Sequence, residues 1–179
     1  FYTMDIFSHG LWTGAAYKVI NKRTKKQFNI KQAIFWGVFP DIFAFSISFI
    51  FLFINLVSGK INLSNIPHLR EIEPPVYGIS VFKLTGFLYS ISHSIVIFFL
   101  VFIVLFLIFK RPIWELGGWL LHIILDIPTH SYRFYPTPFL WPISNWKFDG
   151  LSWTNPWFLL LNYLTIIVVY FFVYKKNKN

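Results

Sequence analysis

The sequence contains no cysteine and few acidic residues. Its 179 residues include 7 Asp and Glu against 16 Lys and Arg, and only 13% are charged. Without cysteine the chain can form neither a disulfide nor a thiolate metal site, so a metal would have to be held by His, Asp, Glu or water. So few charged side chains cannot cover a soluble globule of this size. The two shortages exclude a disulfide scaffold and argue against a water-soluble protein.

Apolar and aromatic residues take the place of the missing charges. Hydrophobic residues make up 56% of the chain and aromatic residues 22%, with a mean hydropathy of +0.57. This composition is typical of an integral membrane protein. The net charge of +9 would suit a nucleic-acid partner, but the basic residues cluster beside apolar segments, as in the short cytoplasmic loops of membrane proteins. We therefore expect membrane lipid, and no nucleic acid, as the surroundings of this protein.

The apolar segments predict a single all-α domain over residues 1–179, an integral membrane helical bundle of about four transmembrane helices plus a short N-terminal helix. No cleaved signal peptide is expected, because the N-terminus lacks a basic n-region and a small-residue cleavage site. The proline at position 40 is expected to interrupt the first span and let a helix restart at Asp41. The predicted short helix and four spans are Asp5–Ile20, Gln32–Val57, Phe87–Phe109, Pro112–Pro128 and Phe158–Tyr174.

The charged loops predict the orientation of the bundle. The segment Lys22–Lys31 and the C-terminus with Lys175, Lys176 and Lys178 are rich in lysine, which places both in the cytoplasm and the protein in the inner or plasma membrane. The segment Tyr132–Trp157 is expected on the opposite side. Its tryptophans suit the headgroup zone, namely Trp141, Trp146, Trp153 and Trp157.

A histidine and a carboxylate, His122 and Asp126, stand four residues apart within an apolar helix. That spacing places both on one face, where they can reach one point. Such groups are costly at membrane depth unless they are compensated, and a bound cation would do so. At 1.5 Å per residue Asp41 and His122 lie level, about 12–14 Å from the inner ends of their spans. His93 and His9 could join them, which makes a metal site the favoured interpretation.

Each of these residues also has a plainer explanation. His122 and Asp126 could satisfy each other by hydrogen bonding, and Asp41 could serve as a helix N-cap. His93 could bond the serines beside it. The sequence leaves these alternatives open.

Five short strings occur along the chain in a particular order: SHGLWTG, VFPDIF, ISHSI, LGGWLLHIILD and PTPFLWP. The ordered set resembles the inner-membrane metal-dependent hydrolases named for a LexA-binding member. The resemblance implies metal-site roles for His9, Asp41, His93, His122 and Asp126. The order of ligands is also similar to the zinc-dependent phospholipase C and P1 nuclease group, which implies His130 as a further ligand. The chain departs from the family pattern at Phe43, Leu88 and Tyr89.

These observations predict a metal-dependent hydrolase that cleaves a phosphoester in a lipid or lipid-linked substrate. His122 and Asp126 would be the central catalytic positions, with one or two ions. Zinc is the first choice of metal, and manganese, iron and magnesium are alternatives. Arg133 would bind the substrate phosphate, or would only snorkel to headgroups. A metal-ion or proton transporter and a non-catalytic scaffold with a structural metal are the competing functions. The oligomeric state is left open.

Overall fold

Helices account for the regular structure of the chain. The computed structural model describes residues 5–24, 26–60, 80–132, 135–153 and 155–175. Within those ranges there is no β-strand, and the prediction of an all-α protein is confirmed. The α-helices are α1 (Ile6–Thr24), α2 (Ile30–Val57), α3 (Ser80–Ser92), α4 (Ile95–Phe109), α5 (Gly117–Thr129) and α6 (Pro156–Tyr174), and a 3₁₀ turn, Trp114–Leu116, precedes α5.

Two helices are long and apolar enough to cross a membrane. These are α2, with 28 residues, and α6, with 19; α3 and α4 make a third span if the pair, bent by 63° at the break between them, is counted as one. The 13 residues of α5 rise only about 20 Å, less than the roughly 30 Å hydrocarbon core. The prediction of about four spans is therefore not confirmed, and two or three candidate spans stand in its place.

The predicted interruption at Pro40 does not occur, because α2 is one continuous helix through it. The chain breaks instead at His93 and Ser94, between α3 and α4. The backbone groups freed there find partners in distant segments. The Ile95 N–H donates to the Phe139 carbonyl at 3.0 Å, and the Trp119 indole donates to the Ser92 carbonyl at 2.6 Å. Such compensation is what allows irregular backbone at membrane depth.

Helices α1, α2 and α5 pack closely against one another at two glycines. A Cβ on Gly118 of α5 would lie 2.2 Å from the Ala33 carbonyl oxygen of α2, and one on Gly37 would lie 2.3 Å from Thr13 Oγ1 of α1. Only hydrogen side chains permit this approach of α1, α2 and α5. Beside the junction lies a core of Phe98, Leu116, Trp119 and Ile123.

Two lysines of α1 contact the C-terminal end of α6. Lys22 of α1 donates to the Val173 carbonyl near the end of α6, and Lys18 lies over the Tyr174 ring. At the same end, the side chain of Asn29 caps α2. The backbone N–H of Asn29 donates to Glu115 Oε1 at 3.0 Å. Glu115 thus joins the starts of α2 and α5, in the structural role its position before α5 suggests.

Helices α4 and α6 turn most of their side chains outward. Phe98 is the only buried residue of α4, and α6 buries only Ile166 and Val173. Their exposed side chains are large and apolar, for example Leu100, Ile108, Leu161 and Phe172. An apolar exterior of this extent is what a lipid environment requires.

Candidate metal centre

Five of the predicted site residues come together in the interior. They are 0–2% exposed and arrive from four parts of the fold: His9 from α1, Asp41 from α2, His93 from the break between α3 and α4, and His122 and Asp126 from α5. Spacing within α5 places the last two on one face, as predicted. The others depend on how the helices pack.

The protonation of two histidine rings follows from their backbone contacts. His122 Nδ1 lies 2.7 Å from the Gly37 carbonyl oxygen, and His93 Nδ1 lies 3.1 Å from the Tyr89 carbonyl oxygen. A carbonyl oxygen can only accept, so Nδ1 of His122 carries the proton, and a protonated Nδ1 of His93 likewise suits both the Tyr89 carbonyl and Ser92 Oγ, which lies 2.9 Å away and can also accept. In the neutral rings each Nε2 is then an unprotonated acceptor, which is the form that binds metals.

These two Nε2 atoms face each other and two carboxylates. They lie 3.2 Å apart. Asp41 Oδ1 is 3.4 Å from His93 Nε2 and 3.6 Å from His122 Nε2, and Asp126 Oδ2 is 3.3 and 3.2 Å from the same two atoms. Four acceptor atoms therefore converge. A cation is needed to hold them together, whether protons or a metal ion.

The second oxygen of Asp126 faces a different histidine. Asp126 Oδ1 lies 3.0 Å from His9 Nε2, while the His9 ring stacks on His122 with centroids 3.8 Å apart. Two overlapping groups could thus hold a metal ion, one of Asp41, His93 and His122 and the other of His9, His122 and Asp126.

The carboxylates lack hydrogen-bond donors. All four oxygens of Asp41 and Asp126 are buried, and none has a hydrogen-bond partner among the described residues. The histidine contacts, at 3.0–3.6 Å, are all longer than the roughly 2.7–2.9 Å of charge-assisted hydrogen bonds. A pair of buried carboxylates without compensation is strongly unfavourable. The residues present therefore fit a metal ion better than a self-satisfied polar cluster.

His130 lies beside this centre but belongs to neither metal-binding group. Its Nδ1 is 3.6 Å from Asp126 Oδ1 and accepts the Trp153 indole N–H at 3.2 Å. Trp153 was expected at the membrane interface with the other loop tryptophans, but it is 7% exposed and its ring also contacts His9. The expectation fails for Trp153 because residues 150–153 bond to the end of α5. The Gly150 N–H donates to the His130 carbonyl at 2.8 Å, and the Trp153 N–H donates to the Thr129 carbonyl at 3.2 Å.

The other sequence candidates fall outside the centre. Asp5 accepts from the Ser8 N–H at 3.1 Å and from Tyr163 OH, so it caps α1 and contacts α6. Arg133 and His68 lie outside the described residues.

Sequence reasoning missed the backbone carbonyls that orient the rings, at Gly37 and Tyr89, and the indole of Trp153. A signal existed for the first: Pro40 leaves the Trp36 carbonyl without its helical N–H and so loosens the turn that contains Gly37. No local pattern marks Trp153, since it reaches the site from a loop 23 residues beyond His130.

Fold and geometry together describe an all-helical protein, over the residues the structure covers, with two or three candidate membrane-spanning helices and a buried histidine–carboxylate centre that could hold a metal ion. No protein-family model, curated protein or solved structure matches this chain.

Proposed function

We propose that this protein is a membrane-embedded metal-dependent hydrolase acting on a phosphoester in a lipid or lipid-linked substrate. One observation carries the metal: five of the six distances among the four converging acceptor atoms fall between 3.2 and 3.6 Å. Ligands bonded at about 2.0–2.1 Å to a tetrahedral zinc stand about 3.3–3.4 Å apart. We take zinc as the metal because histidine nitrogens and carboxylate oxygens are ligands that suit it, with manganese, iron and magnesium as alternatives.

Asp41, His93, His122 and Asp126 would hold the ion. The carbonyls of Gly37 and Tyr89 fix the ring orientations that this requires. His9 and the second oxygen of Asp126 offer a start for a second ion. When bound, such an ion supplies Lewis acidity, which polarises a phosphoryl oxygen and acidifies water.

The closed side of the centre favours hydrolysis over transport. One helical turn from His122 toward the basic end, Gly118, Gly37 and Thr13 bring three helices into contact too tight for a Cβ. A conduction path would need polar groups and space through that junction. We therefore place the approach of a lipid headgroup at the opposite end, which carries residues 130–132 and 135–153. Arg133, in that segment of the sequence, is the cation we propose for its phosphate.

Metal content of purified variants tests the proposal. His122→Ala and Asp126→Ala should each lose most of the bound zinc, measured by elemental analysis after purification in detergent, because each supplies a ligand that no neighbour can replace. Asp149→Ala is the matched control: its carboxylate is exposed and bonds only within the loop, so this variant should keep the full metal content. Hydrolysis of a short-chain lipid phosphoester should follow the metal.

Two results would count against the proposal in different ways. Full metal content in both His122→Ala and Asp126→Ala would remove the ligand assignment. A metal-loaded protein that cleaved no phosphoester but moved zinc or protons into liposomes would replace hydrolysis with transport.

A further inference from the structure

The side chain of His130 carries a ring proton that has no partner among the described residues, and the contact with Trp153 indicates which nitrogen holds it. An indole N–H can only donate, and the one on Trp153 donates to His130 Nδ1 at 3.2 Å. Nδ1 lies equally far, 3.2 Å, from the Asp126 carbonyl oxygen. That carbonyl already accepts the His130 backbone N–H at 3.0 Å. An unprotonated Nδ1 therefore accepts the indole N–H while the carbonyl keeps its backbone donor, whereas a protonated Nδ1 would set its N–H against that of the indole.

With Nδ1 unprotonated, the neutral ring carries its hydrogen on Nε2. That atom is buried and has no hydrogen-bond partner among the residues the structure describes. The whole residue is 1% exposed. Buried polar hydrogens are almost always bonded, so the Nε2 hydrogen calls for an acceptor that the described residues do not supply.

The same arrangement prevents His130 from binding a metal through either nitrogen. The lone pair of Nδ1 is taken by the indole. Ligation through Nε2 would move the proton to Nδ1, against the indole N–H. His130 thus differs from His93 and His122, whose Nδ1 hydrogens bond carbonyls and leave Nε2 unprotonated.

We propose that His130 is not a metal ligand but a substrate-binding residue, whose Nε2–H donates to an oxygen of the phosphoryl group held at the adjacent metal centre. Its ring approaches Asp126, with 3.6 Å between Nδ1 and Oδ1, so it borders the centre without sharing its ion. The role rests on the proposed function, because a phosphoryl group is the anion which that function brings to the centre. Trp153 is then a positioning residue that acts through the His130 ring.

The experiment separates a donor from a ligand with two substitutions at one position. In His130→Gln the amide can keep a donor near the place of Nε2 but makes a poor zinc ligand, and His130→Ala removes both functions. We expect both variants to keep the zinc content of the wild type. Inorganic phosphate, titrated calorimetrically into the zinc-loaded protein, should bind about tenfold or more weakly to His130→Ala, and His130→Gln should recover most of that loss.

The protonation of the ring provides a readout that does not depend on metal or activity. In protein labelled with ¹⁵N-histidine, the His130 signals, identified by their loss in His130→Gln, should show a protonated Nε2 and an unprotonated Nδ1. Trp153→Phe, which keeps a ring but removes the donor, should shift this tautomer toward protonated Nδ1.

Loss of zinc in His130→Gln and His130→Ala, as in His122→Ala, would overturn the inference, and so would an unprotonated Nε2 or unchanged phosphate binding in His130→Ala. A wild-type protein that held no metal and cleaved no phosphoester would instead overturn the proposed function. In that case the nitrogen signals alone would decide whether His130 is the donor.

Discussion

Helix α2 and the pair α3–α4 both bring a site residue to the middle of the bundle, but they do so in opposite ways. α2 contains a proline and stays continuous. The α3–α4 pair has no proline at its junction, yet it breaks and bends by 63° at His93 and Ser94. Proline content alone would assign the break to the wrong helix.

The comparison indicates that a helix can break where other residues supply hydrogen-bond partners for the freed backbone groups. At the α3–α4 junction, the Phe139 carbonyl accepts the free Ile95 N–H and the Trp119 indole donates to the free Ser92 carbonyl. Ser94 caps α4 by accepting the Ile97 N–H at 3.2 Å. At Pro40 the helix continues, and the neighbouring carbonyl of Gly37 bonds His122 instead. Both structures expose backbone polar groups inside the bundle. In the α3–α4 pair this happens at the break, and in α2 it happens at the turn before Pro40.

The largest expected effect concerns whether the broken pair crosses the membrane, as α2 does. Single cysteines can be introduced at Lys110, at the end of α4, and at Lys83 and Asn145, all of which are exposed. We expect Lys110→Cys to be labelled only from the cytoplasm, and Lys83→Cys and Asn145→Cys only from the opposite side. The chain has no native cysteine to interfere.

Membrane-impermeant maleimide on intact cells and on inverted vesicles measures this. Labelling of positions 83 and 110 from the same side would make the pair a re-entrant loop. Labelling of position 145 from the cytoplasm alone would reverse the orientation and open the centre to the inner face.

The second largest effect, on stability and zinc content, is expected from a substitution at the contact between α5 and α2. In Gly118→Ala the new Cβ meets backbone atoms, Ala33 O at 2.2 Å and Gly37 N at 3.0 Å, which cannot rotate away. Overpacking of this kind costs about 1–3 kcal/mol, and α5 must shift so that His122 leaves the Gly37 carbonyl. We expect a lower midpoint of thermal unfolding in detergent and loss of most of the zinc.

Gly86→Ala is the matched control, because a Cβ there meets nothing within 4 Å. It should hold or raise the midpoint, since alanine is the better helix former by about 1 kcal/mol. Equal behaviour of the two variants would mean that the α2–α5 approach is not limited by Gly118.

Local spacing and helix length predicted part of the site. The four-residue spacing of His122 and Asp126 places them on one face in any helix, and counting residues from the basic ends placed Asp41 level with His122. The same count put His93 about 24 Å from the inner end, well beyond Asp41 and His122, because it assumed a straight span where the structure has a bend. What could not be predicted depends on contacts between distant segments. Nothing near Pro40 shows that its helix continues, and nothing near Trp153 shows that residues 150–153 bond the end of α5.

The smallest effect tests whether Pro40 serves the metal centre or is only tolerated. Pro40→Ala returns an N–H to α2 and removes the ring, and proline is about 3 kcal/mol less favourable than alanine within a helix. In the presence of chelator the variant should therefore unfold at a midpoint no lower than that of the wild type. The restored N–H would bond the Trp36 carbonyl, and the straightened turn would draw the adjacent Gly37 carbonyl toward the Asp41 N–H and weaken its bond to His122 Nδ1. Loss of such a partner typically lowers metal affinity 10–100-fold. The bond is only weakened in this variant, so we expect a decrease near the lower end of that range, measured by competition with a zinc chelator.

Pro112→Ala, in the turn before α5, is the control and should change neither the midpoint nor the affinity. Wild-type affinity in Pro40→Ala would show that Gly37 reaches His122 without the proline, and the contrast between α2 and the broken pair would then concern stability alone.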